Sequence, residues 1–268
     1  MQGIGAVSGD VVIPATVNDS AGTKHDVTSI GELAFYYCTS MTSVVIPTNV
    51  TSIGNSAFYN CSTLRSVTFD KNSQLTSIGY SAFVNCFKLE SVEIPSGVTS
   101  IESNTFDSCS VLKKVTFAEN SQLTSIGNNA FANCSALTSV EIPEGVKTIG
   151  QYVFQRCDAL EEVTIPASVT SVKSNIFDSC TTAKTITYGG SQEQWDSFNV
   201  KPPKNGLTVN CTGHTVKFDP NSYGTALENI YVKNGETIPA DKKPADPTKT
   251  GYTFKGWYYN TENGVEKE

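Results

Sequence analysis

Cysteine is the residue type in this sequence with the greatest capacity for covalent, redox or metal chemistry, and the chain contains eight. Seven recur at steps of 23 or 25 residues, at Cys38, Cys61, Cys86, Cys109, Cys134, Cys157 and Cys180. Seven residues cannot pair completely into disulfides, and side chains at one repeat position point in parallel rather than toward each other. We therefore predict a buried ladder of free thiols, in which cysteine acts as a small apolar residue. Cys211 lies outside this ladder, and the sequence assigns it no role.

The other patterns that support catalysis or metal binding are missing from the sequence. There is no Cys-x-x-Cys pair, and the two histidines, His25 and His214, are far apart. The many serines lack a positioned histidine and a Gly-x-Ser-x-Gly elbow. Residues 219–224 lack the distal glutamate of a calcium loop, so we predict a hairpin turn there. We expect no catalytic residues, no metal and no cofactor, and therefore a protein that is not an enzyme.

Composition narrows the possible partners. The formal net charge of −7 and the isoelectric point near 5.0 give the chain no electrostatic attraction to nucleic acid or anionic lipid. No run of about 18 apolar residues occurs, so we expect no insertion into a membrane. Residues 1–7 lack the basic and apolar regions of a signal peptide, and we expect that such a leader has been removed.

Four apolar columns recur in one phase, and the cysteines are one of them. A phenylalanine stands three residues before each cysteine, at Phe35, Phe58, Phe83, Phe106, Phe131, Phe154 and Phe177. The second column is Ile30, Ile53, Ile78, Ile101, Ile126, Ile149 and Val172, and the third is Met41, Leu64, Leu89, Leu112, Leu137, Leu160 and Ala183. An alternating piece such as Val92-Glu-Ile follows each unit and predicts a strand. The Ala-Phe-x-x-Cys piece is too short for a free helix and predicts a helical turn.

Stacked units would bury these columns in a continuous core, which a single unit cannot do. The sequence therefore predicts a β-rich solenoid of the α+β type, with units of 23–25 residues. The two longer steps arise from Asp70-Lys-Asn-Ser-Gln and Ala118-Glu-Asn-Ser-Gln. We expect these polar inserts to bulge outward without disturbing the columns.

The repeated motif Val-x-Ile-Pro…Val-Thr-Ser-Ile-Gly-x-x-Ala-Phe-x-x-Cys resembles the BspA-like leucine-rich repeats. This resemblance implies a right-handed leucine-rich-repeat superhelix over residues 1–211. Residues 1–30 are similar to the family's irregular opening unit and would form an N-terminal cap. Residues 187–211 are similar to its closing segment and would form a C-terminal cap, with Trp195 and Phe198 as the lid over the exposed core.

A second resemblance begins after the solenoid. Thr215-Val-Lys-Phe, Ile230-Tyr-Val-Lys-Asn-Gly and Gly251-Tyr-Thr-Phe-Lys-Gly-Trp are similar to the Listeria–Bacteroides repeat, a small β-grasp-like module also seen in internalin B. Asn234-Gly235 predicts a hairpin turn. We expect residues 212–268 to form a truncated module of this type, because the family has one more apolar strand.

Two surfaces are candidates for binding. The strand face would present two outward rows, one of them serine-rich from Ser43 to Thr185, and the other containing Glu93, Thr116, Glu141 and Thr164. This face lacks Trp, Tyr and Arg, which argues for weak or sugar-type contacts or for none. On the opposite side, Tyr36, Tyr59, Tyr80 and Phe87 would form an aromatic patch. The alternative is that these rings fill gaps between units or pack on the N-terminal cap.

BspA-like repeats occur on the surfaces of oral and gut bacteria, so the resemblance implies a cell-surface or secreted protein. We expect a non-catalytic adhesion or recognition protein that binds a host or bacterial surface protein, extracellular matrix or a glycan. The alternative is a structural spacer, or an accessory binding region of a larger surface protein. Fold alone does not decide between these functions.

Overall fold

The strands of the chain are short and follow each other at the rhythm of the sequence repeat. A computed structural model describes residues 7–202, 206–216, 230–233, 236–238, 258–261 and 264–267. The strands are β1 Ser8–Val12, β2 Thr16–Asn18, β3 Lys24–Asp26, β4 Ser29–Ile30, β5 Ser40–Ile46, β6 Ser52–Ile53, β7 Ser66–Phe69, β8 Ser77–Ile78, β9 Ser91–Ile94, β10 Ser100–Ile101, β11 Lys114–Phe117, β12 Ser125–Ile126, β13 Ser139–Glu141, β14 Thr148–Ile149, β15 Glu162–Ile165, β16 Ser171–Val172, β17 Thr185–Tyr188, β18 Thr208–Cys211, β19 Gly213–Val216, β20 Ile230–Lys233, β21 Tyr258–Thr261 and β22 Gly264–Lys267. The helix α1 spans Gln192–Ser197.

Two parallel sheets run along a solenoid. The first sheet has nine strands in the order β1-β5-β7-β9-β11-β13-β15-β17-β18, and the second has seven, from β4 to β16. Each of the first seven turns of the solenoid, which we call coils, gives one strand to each sheet, and β17 begins the eighth. Equivalent residues pair, as Val44 does with Val67. This in-register pairing confirms the predicted leucine-rich-repeat solenoid.

The third side of each coil is a chain of tight turns, so the predicted helical turn is wrong. In the first coil, the N–H groups of Phe35 and Tyr37 donate to the carbonyl oxygens of Ala57 and Tyr59 in the next coil, at 2.7 and 2.8 Å. The alternate N–H groups, those of Tyr36 and Cys38, bond locally three residues back. In a helix, the N–H groups would bond to carbonyl oxygens of the same coil. Here alternate N–H groups bond to the next coil instead, so the third sides of adjacent coils are also joined by hydrogen bonds.

The core consists of the predicted columns. The rings of the phenylalanine column stack in parallel, with neighbouring centroids 5.0 to 6.0 Å apart and interplanar angles of 1° to 15°. All but Phe35, at the end of the stack, are fully buried. The glycine of Ser-Ile-Gly permits the close approach of coils, because a Cβ at Gly54 would lie 2.5 Å from the backbone nitrogen of Glu32.

The third and fifth coils are wider than their neighbours. Their inward positions carry Phe69 with Leu75 and Phe117 with Leu123, where the narrow second coil has Ile46 with Val50. The inserts, residues 70–74 and 118–122, follow these phenylalanines. The core columns stay in phase, but the strand ladder does not. β7 and β9 pair at Ser66↔Ser91 alone, and β11 and β13 pair at Lys114↔Ser139 alone. The prediction that the inserts leave the columns undisturbed is therefore correct, and the shortened pairing of the strands is an additional effect that it did not address.

Both ends of the solenoid carry atypical pieces. At the N-terminal end, β1 and β4 already pair with the second coil, and the antiparallel hairpin β2–β3 is inserted between them. At the C-terminal end, Trp195 is buried, and its ring lies 5.5 Å from Tyr188 and 6.1 Å from Phe198. These contacts place Trp195 and Phe198 at the predicted lid. A capping box of Ser191 and Gln194 starts α1, which carries Trp195.

The C-terminal module is described only in part. β19 and β20 form an antiparallel pair, as do β21 and β22. The motif Gly251-Tyr-Thr-Phe-Lys-Gly-Trp, the turn at Asn234-Gly235 and the predicted turn at residues 219–224 lie outside the described residues. The boundary between residues 211 and 212 stays a prediction.

The phenylalanine stack should dominate stability. We expect Phe106→Ala or Phe131→Ala to lower the free energy of unfolding by about 3–5 kcal/mol, because each opens a cavity in a fully packed column. Urea unfolding followed by circular dichroism measures the change. The matched control is Phe87→Ala, which removes an exposed ring and should cost less than about 1 kcal/mol. Equal losses in the core and control variants would contradict the assignment of the core.

Candidate functional site

The ladder cysteines are held in a buried and hydrogen-bonded environment that lowers their reactivity. All seven ladder cysteines are buried and free, as predicted. From the second coil onward, each thiol donates to the carbonyl oxygen of the column phenylalanine one coil earlier: Cys86 to Phe58 at 3.3 Å, for example, and Cys134 to Phe106 at 3.2 Å. Burial raises the pKa of Cys61 to about 12 and that of Cys180 to about 11. Burial also raises the pKa of Cys86, Cys109, Cys134 and Cys157 well above the ordinary value. A thiol that stays protonated is neither a nucleophile nor a metal ligand.

Other reactive groups do not converge in the described part of the chain. His25 lies in the exposed hairpin β2–β3, with Nε2 2.9 Å from Asp19 Oδ2. Cys211 is half-buried in β18, and its Sγ lies 3.5 Å from Oε1 of Gln192. Among the described residues, no three side chains of His, Cys, Asp or Glu are grouped so as to hold a metal ion. The same residues include no helix with the length and apolar character of a membrane span.

The candidate residues of the strand face lie on four adjacent strands. Glu93 pairs with Thr116 across β9 and β11, and Glu141 pairs with Thr164 across β13 and β15. Glu93 and Glu141 are exposed, and the two threonines are half-exposed. A groove of about 410 Å³ opens beside Glu93, between the strands β7 and β9 where their pairing ends. The four residues therefore share one face, and the groove is a feature that the sequence did not predict.

The aromatic candidates divide into a cluster and two separate rings. Tyr36 and Tyr59 stack with centroids 5.2 Å apart, as their equivalent positions suggest. Tyr80 is 49% exposed, and its hydroxyl oxygen accepts a hydrogen bond of 2.6 Å from Nδ2 of Asn104. Phe87 is 39% exposed. Within the described residues, neither Tyr80 nor Phe87 makes a ring contact with the stacked pair, so the predicted single patch is not one contiguous cluster.

Tyr37 completes the cluster and was missed in the sequence. Its ring centroid lies 4.6 Å from that of Tyr36 and 6.0 Å from that of Tyr59. Partial burial and the neighbouring Tyr37 and Tyr59 raise the pKa of Tyr36. The signal was present, because the equivalent positions before the next three cysteines hold Asn60, Asn85 and Ser108. We call Leu33, Tyr36, Tyr37 and Tyr59 the tyrosine patch.

Backbone strain coincides with this patch. Most coils have two residues with positive φ, five residues and one residue before the cysteine, and these positions hold mostly Asn and Ser. In the first coil they hold Leu33 with φ 57° and Tyr37 with φ 59°, and both side chains are more than 40% exposed. A bulky residue in the left-handed region costs about 1–2 kcal/mol, whereas asparagine tolerates it. The first coil thus combines backbone strain with exposed apolar surface.

Comparisons with known families match both parts of the chain. A family described as the BspA type leucine rich repeat region matches in six copies over residues 28–135 and 120–201. A family described as the Listeria-Bacteroides repeat domain matches residues 214–268. Both resemblances predicted from the motifs are therefore confirmed.

Several solved structures are similar to this chain, and the first of them shares its fold. The pneumococcal vaccine antigen PcpA is 22% identical with a TM-score of 0.57, and the alignment covers 76% of this chain and 57% of PcpA. This chain therefore spans less than two thirds of the PcpA chain. A leucine rich repeat protein of T. pallidum is 26% identical with a TM-score of 0.47, over 67% of this chain and 72% of that one. A leucine rich cell surface protein of Faecalibacterium prausnitzii is 22% identical with a TM-score of 0.36, over 72% and 90%.

The thiols should be protected by burial. At pH 8 we expect the native chain to react rapidly with Ellman's reagent at Cys211 alone, because burial makes the ladder inaccessible to the reagent. Raised pKa values also keep the thiols of the inner coils, such as Cys86 and Cys109, protonated. Under denaturing but non-reducing conditions, all eight cysteines should react. Fewer than eight free thiols after denaturation would contradict the free ladder by revealing disulfides.

The strained positions should respond to asparagine. Arg156 has φ 54° at the position equivalent to Tyr37 in the sixth coil, and its side chain is exposed. We expect Arg156→Asn to raise the free energy of unfolding by about 0.5–1 kcal/mol, because asparagine adopts the left-handed conformation at a lower energetic cost. The converse control, Asn85→Ala at φ 61°, should lower it by about 1 kcal/mol. Chemical denaturation measures both, and a destabilised Arg156→Asn variant would contradict the account of strain.

Proposed function

We propose, because this chain belongs to the BspA-type leucine-rich repeat family, that it is a non-catalytic recognition module of a bacterial cell surface or secreted protein. Its partners would be proteins of the host or of other bacteria, extracellular matrix or a glycan. Leucine-rich-repeat solenoids are typically binding scaffolds rather than enzymes. The seven ladder thiols are buried, so the module would act through its exposed surface residues.

The observation that carries the proposal is the tyrosine patch. A surface selected for stability alone would hold asparagine or serine at the positions of Leu33 and Tyr37, as most other coils do. The first coil instead holds strained bulky residues, whose side chains are 49% and 43% exposed. Strain and exposed apolar surface are both unfavourable in the free protein, and a bound partner that covers the patch would bury the exposed apolar surface, so the strain is the cost of presenting these side chains.

The chemistry of the patch suits a protein partner. Tyrosine offers a large apolar ring with a hydroxyl group, and it is enriched at residues that dominate binding energy. Three rings within 4.6 to 6.0 Å of each other form a preorganised surface with little side-chain entropy to lose. The strand face has no such anchor among its outward rows. We therefore place the recognition site on the turn side of the first two coils.

Binding to a panel of host proteins tests the proposal. The purified chain would be presented to immobilised matrix proteins, mucins and glycans, and binding would be measured by biolayer interferometry. For a ligand that binds, we expect the double variant Leu33→Asn/Tyr37→Asn to weaken affinity by roughly tenfold or more, because it removes two exposed anchors. The fold should survive, since other coils hold asparagine at these positions.

Arg156→Asn is the matched control, because it makes the same backbone change four coils or more from the patch. It should leave affinity unchanged. Affinity that survives the double variant would move the site elsewhere. Failure to bind every member of the panel would favour the alternative function, that of a structural spacer or accessory region of a larger surface protein.

A further inference from the structure

We propose that the tyrosine patch, together with the open N-terminal end of the turn side, binds an arginine side chain of a protein partner. This inference rests on the proposed function, because it names the chemical group that the patch recognises. The site has three parts, which are a row of main-chain carbonyl oxygens, the carboxylate of Glu32 and the rings of Tyr36, Tyr37 and Tyr59.

Three carbonyl oxygens at this end of the solenoid have no hydrogen-bond donor among the described residues. In each coil from the second to the sixth, the carbonyl oxygens at three alternate turn positions accept bonds from N–H groups of the coil before, as Ala57 does from Phe35 at 2.7 Å. The equivalent residues of the first coil are Glu32, Ala34 and Tyr36, and no described residue donates to their carbonyl oxygens. We call these three oxygens the carbonyl row.

The end of the turn side that carries the carbonyl row is open to solvent. Ala34 is exposed, whereas the equivalent residues Ala57 and Ala82, which a preceding coil covers, are fully buried. Tyr36 is half-exposed, and so is Phe35 at the end of the ring stack. A main-chain acceptor in such a position bonds to water in the free protein and can bond to a donor of a partner instead.

The carbonyl row and the tyrosine rings are neighbours. The third oxygen of the row belongs to the peptide group that joins Tyr36 to Tyr37. The ring centroid of Tyr37 lies 4.6 Å from that of Tyr36 and 6.0 Å from that of Tyr59, and the side chain of Tyr37 is 43% exposed. A ligand that stacks on this exposed ring is therefore brought to main-chain acceptors of the same turn.

Charge at this end of the chain favours a cation. Residues 7–64 contain four carboxylates, those of Asp10, Asp19, Asp26 and Glu32, and one lysine, Lys24. The histidine of the hairpin β2–β3 bonds to Asp19. Glu32 is exposed, and none of the ion pairs among the described residues includes it. Its carboxylate and the dipoles of the carbonyl row both attract positive charge.

Arginine is the side chain that suits all three parts of the site. Its guanidinium group is planar, stacks on aromatic faces, and carries several N–H donors in a fixed fork but no acceptor. Lysine has the same charge without the plane or the fork. Proline can stack on a ring but has no N–H to donate, and the hydroxyl groups of a sugar donate without carrying charge. Acceptors beside exposed rings thus favour arginine over these alternatives.

Three short peptides test this site on the intact chain. They are glycine peptides with blocked ends, and they differ only in a central arginine, lysine or citrulline. Binding is followed by the NMR chemical shifts of isotope-labelled tyrosine rings. We expect the arginine peptide to bind roughly tenfold more tightly than the other two, because lysine lacks the planar fork and citrulline lacks the charge.

Variants of the site have matched controls in other coils. Glu32→Gln and Tyr37→Asn should each reduce the preference for arginine to about threefold or less, because each removes one part of the site. Glu144→Gln changes an exposed glutamate of the sixth coil, and Tyr80→Asn removes an exposed tyrosine of the third. Both controls should keep the full preference. Tyr80→Asn should fold, since Asn55 occupies the equivalent position of the second coil.

Equal binding of the arginine and lysine peptides would overturn the inference, since it would indicate attraction to net charge alone. It is also overturned if no peptide binds, or if the preference survives both site variants.

The inference and the proposed function can fail separately. A protein of the binding panel that loses affinity for the Leu33→Asn/Tyr37→Asn variant, but binds normally after its arginines are modified with cyclohexanedione, would support the recognition site and reject arginine as the recognised group. If no protein of the panel binds, the proposed function fails, and the peptide titrations still decide whether the site selects arginine.

Discussion

Adjacent coils of this solenoid are held at one strand spacing by parallel hydrogen-bonded ladders, and almost every residue preference in the repeat follows from that spacing. Identical side chains must stack directly on each other, so the phenylalanine rings lie parallel at 5.0 to 6.0 Å. A thiol fits the next column because it is small and can donate to the carbonyl oxygen of the previous coil. Glycine at the corner after the second sheet lets the main chains nearly touch.

The same spacing explains the turn side. Alternate N–H groups bond to the next coil on a side where the sign of φ changes along the chain, and residues with positive φ recur twice in most coils. Asparagine and serine occupy most of these positions, and asparagine tolerates this conformation well. The backbone does not favour Leu33 and Tyr37 in the first coil, nor Tyr152 and Arg156 at the same positions of the sixth. The first coil differs in that both of its residues are exposed and apolar or aromatic. The recurring motif thus defines a baseline from which functional departures can be recognised.

Departures from the repeat cluster on two surfaces. On the turn side, the first coil has exposed bulky residues, Leu33 and Tyr37, at positions with positive φ. The ring of Tyr37 contacts Tyr36, which stacks on Tyr59. On the strand side, Phe69 and Phe117 widen two coils and end the pairing of their strands with the following ones. A uniform solenoid has flat, satisfied faces with few features to recognise. Strain on one side and interrupted pairing on the other are the two places where this solenoid departs from a uniform surface.

The sequence by itself determined the repeat, the core columns, the free thiol ladder and the lid of Trp195 and Phe198, because periodic apolar residues have one efficient way to be buried. It also placed Tyr36 beside Tyr59, since equivalent positions stack. Only the tertiary structure decided the conformation of the turn side, because its hydrogen bonds join residues more than twenty apart, as between Tyr37 and Tyr59. The separation of Tyr80 and Phe87 from the tyrosine patch was decided there too, since positions within one coil face different directions. The parting of β7 from β9 depends on how a larger ring and a longer loop share space with a narrower neighbour, and that balance exists only once the coils are stacked.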